Sequence, residues 1–331
     1  MAFGSPTPVR GVWPHDKHDT ADPPNAARGV RRAFTAPPPD TVDAVLAIVV
    51  GLASAVTYGV ADFFGGLGAK RTAPVVVTAL AAVVGLLVLL PFALLGPGEA
   101  SAEAFLWGGL SGVTGAAAIF LLYAALAIGP MSILSPLTAV LSALVPMTWG
   151  LLGGERLPWW GYLALGGVLV AIVLVGFVPE KGAVRPRPRG ILYAVGSGLL
   201  IGAFFILVDR APDESGLYPL VGNRGVSGVI LLVVVAVLAL RARGREGGAF
   251  PGLRGALPVI VACGVADAVA NVLILTGLRM GDLTVMSVLA ALYPAGTIAL
   301  AALVLRERIA PVQWIGLALA LTSAAILAIP A

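Results

Sequence analysis

The chain has 331 residues, of which 59% are apolar and only 11% charged, with a formal net charge of +4. Soluble domains carry about 25% charged residues, so a mean hydropathy of +0.98 leaves too few charges to cover a water-facing surface. An ordinary soluble enzyme, a disordered chain and a nucleic-acid binder are excluded, and the excess of Arg reads as a membrane-orientation signal.

Residues 1–41 form a segment of their own, with His15-Asp16-Lys17-His18-Asp19, Arg28, Arg31, Arg32 and Pro37-Pro38-Pro39. They show no helix or strand period, which predicts a disordered tail. They also lack the apolar run of a secretory signal. His15 and His18 are the only histidines and Cys263 the only cysteine. The apolar body therefore has no internal disulfide, no Cys-rich metal site and no Ser/His/Asp group. No metal and no cofactor are expected.

After Thr41 ten apolar stretches follow, at about 43–64, 73–95, 104–127, 131–151, 160–178, 190–208, 217–240, 256–278, 283–304 and 312–329. Each has the length that carries a helix across a hydrocarbon core about 30 Å thick. Helices are predicted because an open strand edge has no partner in lipid. Small residues recur four apart, as in Gly108 and Gly112 or Gly198 and Gly202, which allows close helix approach. A Gly-rich chain also yields such pairs by chance.

The stretch from Ala127 to Val168 can be laid over Arg279 to Ala320 with a shift of 152. Gly129 then falls on Gly281, Ser135 on Ser287, Leu137 on Leu289, and Glu155-Arg156 on Glu307-Arg308. Spans one to five thus correspond to spans six to ten. Five is odd, so the second copy enters the membrane from the opposite side, as in many secondary transporters. The expected fold is an all-α membrane protein with ten transmembrane helices, arranged as two inverted five-helix repeats. The first repeat is expected at 42–179 and the second at 180–331.

These features resemble the ten-helix members of the drug/metabolite transporter superfamily, with two EamA domains. The resemblance rests on Gly129-Pro130, on the Glu155-Arg156-Leu157 and Glu307-Arg308-Ile309 turns, and on Tyr58-Gly59 followed by Asp62-Phe63-Phe64. It implies export of amino acids, other small metabolites or drugs, often coupled to protons.

Numbering each loop by the span it follows, odd loops hold twelve Lys and Arg and even loops three. Arg28, Arg31 and Arg32 of the tail raise the second count to six. The positive-inside rule then places odd loops in the cytoplasm.

Polar groups within the spans are the best pointers to function, since a central Asp costs about 2.5–3.5 kcal/mol on insertion scales. Asp267 stands near the middle of span eight, with Asn271 one turn later on the same face. The pair could form a hydrated site where Asp267 takes up and releases a proton, or a packing contact. Ser54, Tyr58 and Asp62 share one face of span one. Asp62 lies towards the far interface, where it could line a path or pair with Lys70 or Arg71. Asn223 and Arg224 lie inside span seven. Arg224 could bind a substrate carboxylate, neutralise Asp267 or Asp62, or reach the headgroups. Ser135 and Ser287, with Tyr293 and Pro294, place hydroxyls beside helix-breaking prolines in spans four and nine. Glu155 and Glu307 lie at helix boundaries on opposite faces, and are expected to fix loop geometry.

No Gly-x-x-x-x-Gly-Lys phosphate loop occurs, which disfavours an ATP-driven pump, and no Gly-x-Ser-x-Gly or His-Glu-x-x-His motif occurs. The leading expectation is a non-enzymatic secondary carrier in the cell membrane, with a small-molecule substrate and protons as partners. An intramembrane lipid-headgroup enzyme or a lipid scramblase is the alternative. The sequence leaves substrate, direction and oligomeric state open.

Overall fold

A computed structural model of the chain describes residues 41–128, 131–176, 187–242, 250–304, 306 and 309–329. The tail, Gly129-Pro130 and Glu307-Arg308 lie outside the described residues. Within them the secondary structure is helical, without strands. The first half contains α1 (Thr41–Ala69), α2 (Pro74–Leu95), α3 (Ala102–Ile128), α4 (Met131–Leu152) and α5 (Trp159–Gly176). The second contains α6 (Pro188–Asp209), α7 (Tyr218–Arg241), α8 (Leu253–Met280), α9 (Leu283–Ala290), α10 (Tyr293–Val304) and α11 (Pro311–Leu327).

Each helix coincides with one expected stretch, except that span nine is divided into α9 and α10 by a turn at Ala291-Leu292. Pro294 lies just beyond that turn, where its missing N–H costs little at a helix start. Proline likewise opens α2, α6, α7 and α11. Eight segments are long and apolar enough to cross a membrane, among them the combined α9–α10. The apolar stretches of α4 and α11 are shorter.

The bundle turns its large apolar side chains outward. Leu87, Phe92, Leu163 and Leu321 are 65–67% exposed, an arrangement suited to lipid contact and unfavourable in water. The interior is built largely of Ala, Gly and Ser, which lets backbones approach where no hydrophobic drive operates. A Cβ on Gly112 would come 2.5 Å from the Asn223 carbonyl of α7, and one on Gly264 would come 2.6 Å from the Ala81 carbonyl of α2. These two glycines are themselves related by the shift of 152.

Helix pairings obey the same repeat. α1 packs on α8, and its counterpart α6 packs on α3; α2 packs on α8, and α7 on α3. α1 meets α9 and α10 as α6 meets α4, while α2 meets α7, α5 meets α11 and α4 meets α9. This exchange is that of a pseudo-two-fold axis in the membrane plane, the arrangement of an inverted repeat. Most packing crosses between the sequence halves. Two composite bundles result, one of α1, α2, α8, α9 and α10, the other of α3, α4, α6 and α7.

Candidate substrate cavity

A cavity of about 190 Å³ lies between the two composite bundles. Seven of the sequence-selected residues line it: Tyr58 and Asp62 from α1, Asn223 and Arg224 from α7, Asp267 and Asn271 from α8, and Tyr293 from the start of α10. Residues more than 200 positions apart converge because α1 packs against α8 and α10. The closeness of that packing depends on Gly59, where a Cβ would come 2.5 Å from the Tyr293 carbonyl.

The centre of the site is an ion pair. An Arg224 NH2 group lies 2.5 Å from Asp267 Oδ2, with the two side chains 14% and 22% exposed. Of the three roles open to Arg224, the structure shows the neutralisation of Asp267. Asn271 Nδ2 donates to the Asp267 backbone carbonyl at 2.7 Å and to its Oδ1 at 3.3 Å. Nearby, Asn223 Nδ2 donates to Ser111 Oγ at 2.8 Å, and Ser111 in turn donates to the Gly108 carbonyl at 2.7 Å. These bonds answer the desolvation cost that an unpaired polar group would carry in this setting.

Asp62 is different. It is exposed to the cavity, and among the described residues no ion pair or hydrogen bond is formed by its carboxylate. The two basic residues that follow it are directed elsewhere: Lys70 is exposed, and Arg71 donates to the Gly255 carbonyl at 2.6 Å. Three further polar atoms of the lining are buried without a hydrogen-bond partner among the described residues: Tyr58 Oη, Arg224 Nε and Asn271 Oδ1. Buried polar atoms are nearly always paired, so these atoms mark where water or a ligand completes the site.

Two selected serines stand apart. Ser54 is fully buried and donates to the Gly51 carbonyl of its own helix at 2.9 Å. Ser287 is also buried, and donates to the Thr284 carbonyl at 3.3 Å. Both hydroxyls are consumed locally, as serines within helices often are, and neither lines the cavity. Ser135 belongs to α4, and its side chain falls outside the described residues.

Sequence reasoning missed the apolar part of the wall. Phe204 and Phe205 of α6, in edge-to-face contact at 5.3 Å, line the cavity together with Leu231 and Ile201. Nothing in an apolar run distinguishes lining from lipid-facing positions. Of the glycine pairs, Gly112 lines the cavity and Gly202 packs directly on Val145.

The two ends of the bundle differ. Loops two, six and eight and the start of loop four gather on one face. There the Glu99 N–H donates to the Glu214 carbonyl at 2.9 Å, and Arg279 donates to the Gly216 carbonyl at 2.9 Å. Arg210 lies over the Trp149 ring at 5.4 Å. Glu155 accepts from the Leu283 N–H at 3.0 Å and the Thr284 N–H at 2.9 Å. A carboxylate from the first half thus caps α9 of the second, where free N–H groups and the helix dipole favour negative charge. Asp282, the residue at the N-cap position, makes no cap bond. Burial, and then the neighbouring Glu155 carboxylate, push its carboxyl up to about 6. Loops one and seven meet on the opposite face, through Arg71 and Gly255. The cavity extends towards this odd-loop face as far as Thr78, near the start of α2.

The model of the EamA-like transporter family matches the chain twice, over residues 45–177 and 188–329. The chain belongs to the EamA-like transporter family, and is a multi-pass membrane protein of a transporter class. No curated protein matches it by sequence. A solved crystal structure of another protein shares the fold with a TM-score of 0.67 at 17% identity, covering 85% of this chain and 95% of that one.

Proposed function

We propose that this protein is a proton-coupled secondary carrier in the cell membrane that exports a small metabolite, amino acid or drug by alternating access. The observation that carries this reading is the cavity itself. It lies at the interface between inverted repeats and holds two carboxylates, one guanidinium and three unpartnered polar atoms at membrane depth. A helix-packing role alone would not keep ionisable groups around an open space, given their cost in hydrocarbon.

The moving bodies are the two composite bundles. In this state the even-loop face is closed by the Glu155 cap and the Arg279 contacts, and the cavity faces the odd loops. The Lys and Arg count makes those loops cytoplasmic. Protonation of a cavity carboxylate weakens its hold on a cation, and so couples proton uptake to substrate release. A proton shifts the balance between facing states only by its differential affinity for them.

Reconstitution in liposomes tests the reading. A pH gradient should drive counterflow of a small solute, and Asp267→Asn should abolish the proton dependence. Counterflow indifferent to the gradient would remove the coupling, and lipid turnover without solute flux would favour a headgroup enzyme.

A further inference from the structure

We propose that the substrate is a small protonated amine with an apolar body, and that Asp62 is the group that holds its ammonium. This assignment rests on the carrier reading and adds the chemistry of the cargo. Three observations converge on it.

The first is charge. Arg224 and Asp267 neutralise each other across 2.5 Å. Asp62 has no basic partner among the described residues, so its ionised form leaves the cavity with one uncompensated negative charge, which attracts a cation strongly where water is scarce. The second is hydrogen-bond polarity. Asn271 uses its amide N–H group on Asp267, so the atom left without a partner is Oδ1, an acceptor. A carboxylate is also an acceptor only, and the unpartnered Tyr58 Oη can accept. These groups complement a ligand rich in N–H donors. Arg224 Nε and the Tyr58 hydroxyl are the donors without a partner among the described residues, and water can satisfy both. A primary or secondary ammonium matches the acceptors, whereas a quaternary ammonium has no N–H to give. The third is the wall. Phe204 and Phe205 supply aromatic faces that accommodate an apolar body and attract a cation. The volume of about 190 Å³ lies below the range of roughly 300–1,000 Å³ usual for drug-sized ligands, and selects a small molecule.

The test is equilibrium binding to the purified full-length protein in lipid nanodiscs, with four probes that share a phenyl body. These are phenethylammonium, the neutral 2-phenylethanol, the anion hydrocinnamate and the zwitterion phenylalanine. Phenethylammonium should bind at least about tenfold more tightly than each of the others, a difference well within the reach of one charge-assisted contact. Asp62→Asn should remove about tenfold or more of that affinity, and Asp62→Glu should restore most of it. Should Asp62→Asn fail to fold, the four-probe series on the unaltered protein decides alone. Hydrocinnamate or phenylalanine bound as tightly as the amine, an Asp62→Asn protein with unchanged affinity, or no amine binding at millimolar concentration would each overturn the assignment. Because binding is read without transport, amine binding in a protein that carries nothing would remove the carrier reading and leave this one standing. Flux of an anion or zwitterion would do the reverse.

Discussion

The even-loop and odd-loop ends of this molecule are built from the same repeated unit but differ in how they are joined. At the even-loop end, Glu155 binds two N–H groups of α9, Arg279 binds loop six, and loop two bonds to loop six. At the odd-loop end the cavity extends to Thr78, and Asp62 stands without a partner among the described residues. An inverted repeat brings related sequences to both faces, and under the proposed alternating access the asymmetry between the ends belongs to one facing state.

The largest effect should come from disturbing what both ends share. Replacing Arg224 with Leu leaves the half-buried Asp267 with Asn271 alone as a partner, at a cost that approaches the roughly 3–5 kcal/mol of a broken buried pair. Replacing Asp267 with Leu should cost a similar amount, and the double replacement much less than the sum. Unfolding of the purified proteins in detergent, read as a double-mutant cycle, would show the coupling. Strict additivity would mean that the ion pair is not formed.

Close backbone approach comes next. Gly112→Val places a side chain against the Asn223 carbonyl, and overpacking of this kind costs about 1–3 kcal/mol. The variant should unfold at lower temperature and show a narrowed cavity, whereas the same change at Gly225, where a Cβ meets nothing within 4 Å, should be nearly neutral.

Glu155→Gln sharpens the comparison of the two faces. It weakens two charge-assisted bonds and should cost about 1–2 kcal/mol. Amide hydrogen exchange at Leu283 and Thr284 should accelerate, while exchange around Arg71 and Gly255 stays unchanged.

The smallest effect concerns pH. The folded-state value of about 6 for Asp282 lies above its ordinary 3.8, so its ionised form is the one that folding disfavours. Asp282→Asn should raise the unfolding temperature at pH 8, and the gain should fade as the pH drops below about 6 towards 4. A gain that grows on acidification would reverse the sign.

Much of this was legible before any coordinates. Hydropathy located every long helix among the described residues, though not the break in span nine, because a span must be apolar over its whole length. The shift of 152 revealed the inverted repeat, and the polar residues inside spans marked most of the polar lining of the cavity, because lipid makes such residues costly. The rest depended on packing. Whether Arg224 meets Asp267 or Asp62 is decided by how α7 and α8 are rotated, and no periodicity in an all-round apolar helix reports that rotation. Ser54 looked equivalent to Tyr58 on the same helical face, yet a short hydroxyl can return to its own backbone where a tyrosine cannot. Glu155 read as a loop residue because its partner, the start of α9, is brought to it only by the fold.

Access to the cavity from both sides tests the central claim most directly. Ala290→Cys in a Cys263→Ser background places one thiol on the cavity wall. Vesicles of each orientation can then be treated with a membrane-impermeant thiol reagent. Alternating access predicts labelling from both faces, faster from the odd-loop side, with Glu155→Gln raising the rate from the even-loop side. Labelling from one face alone, unchanged by Glu155→Gln, would contradict it.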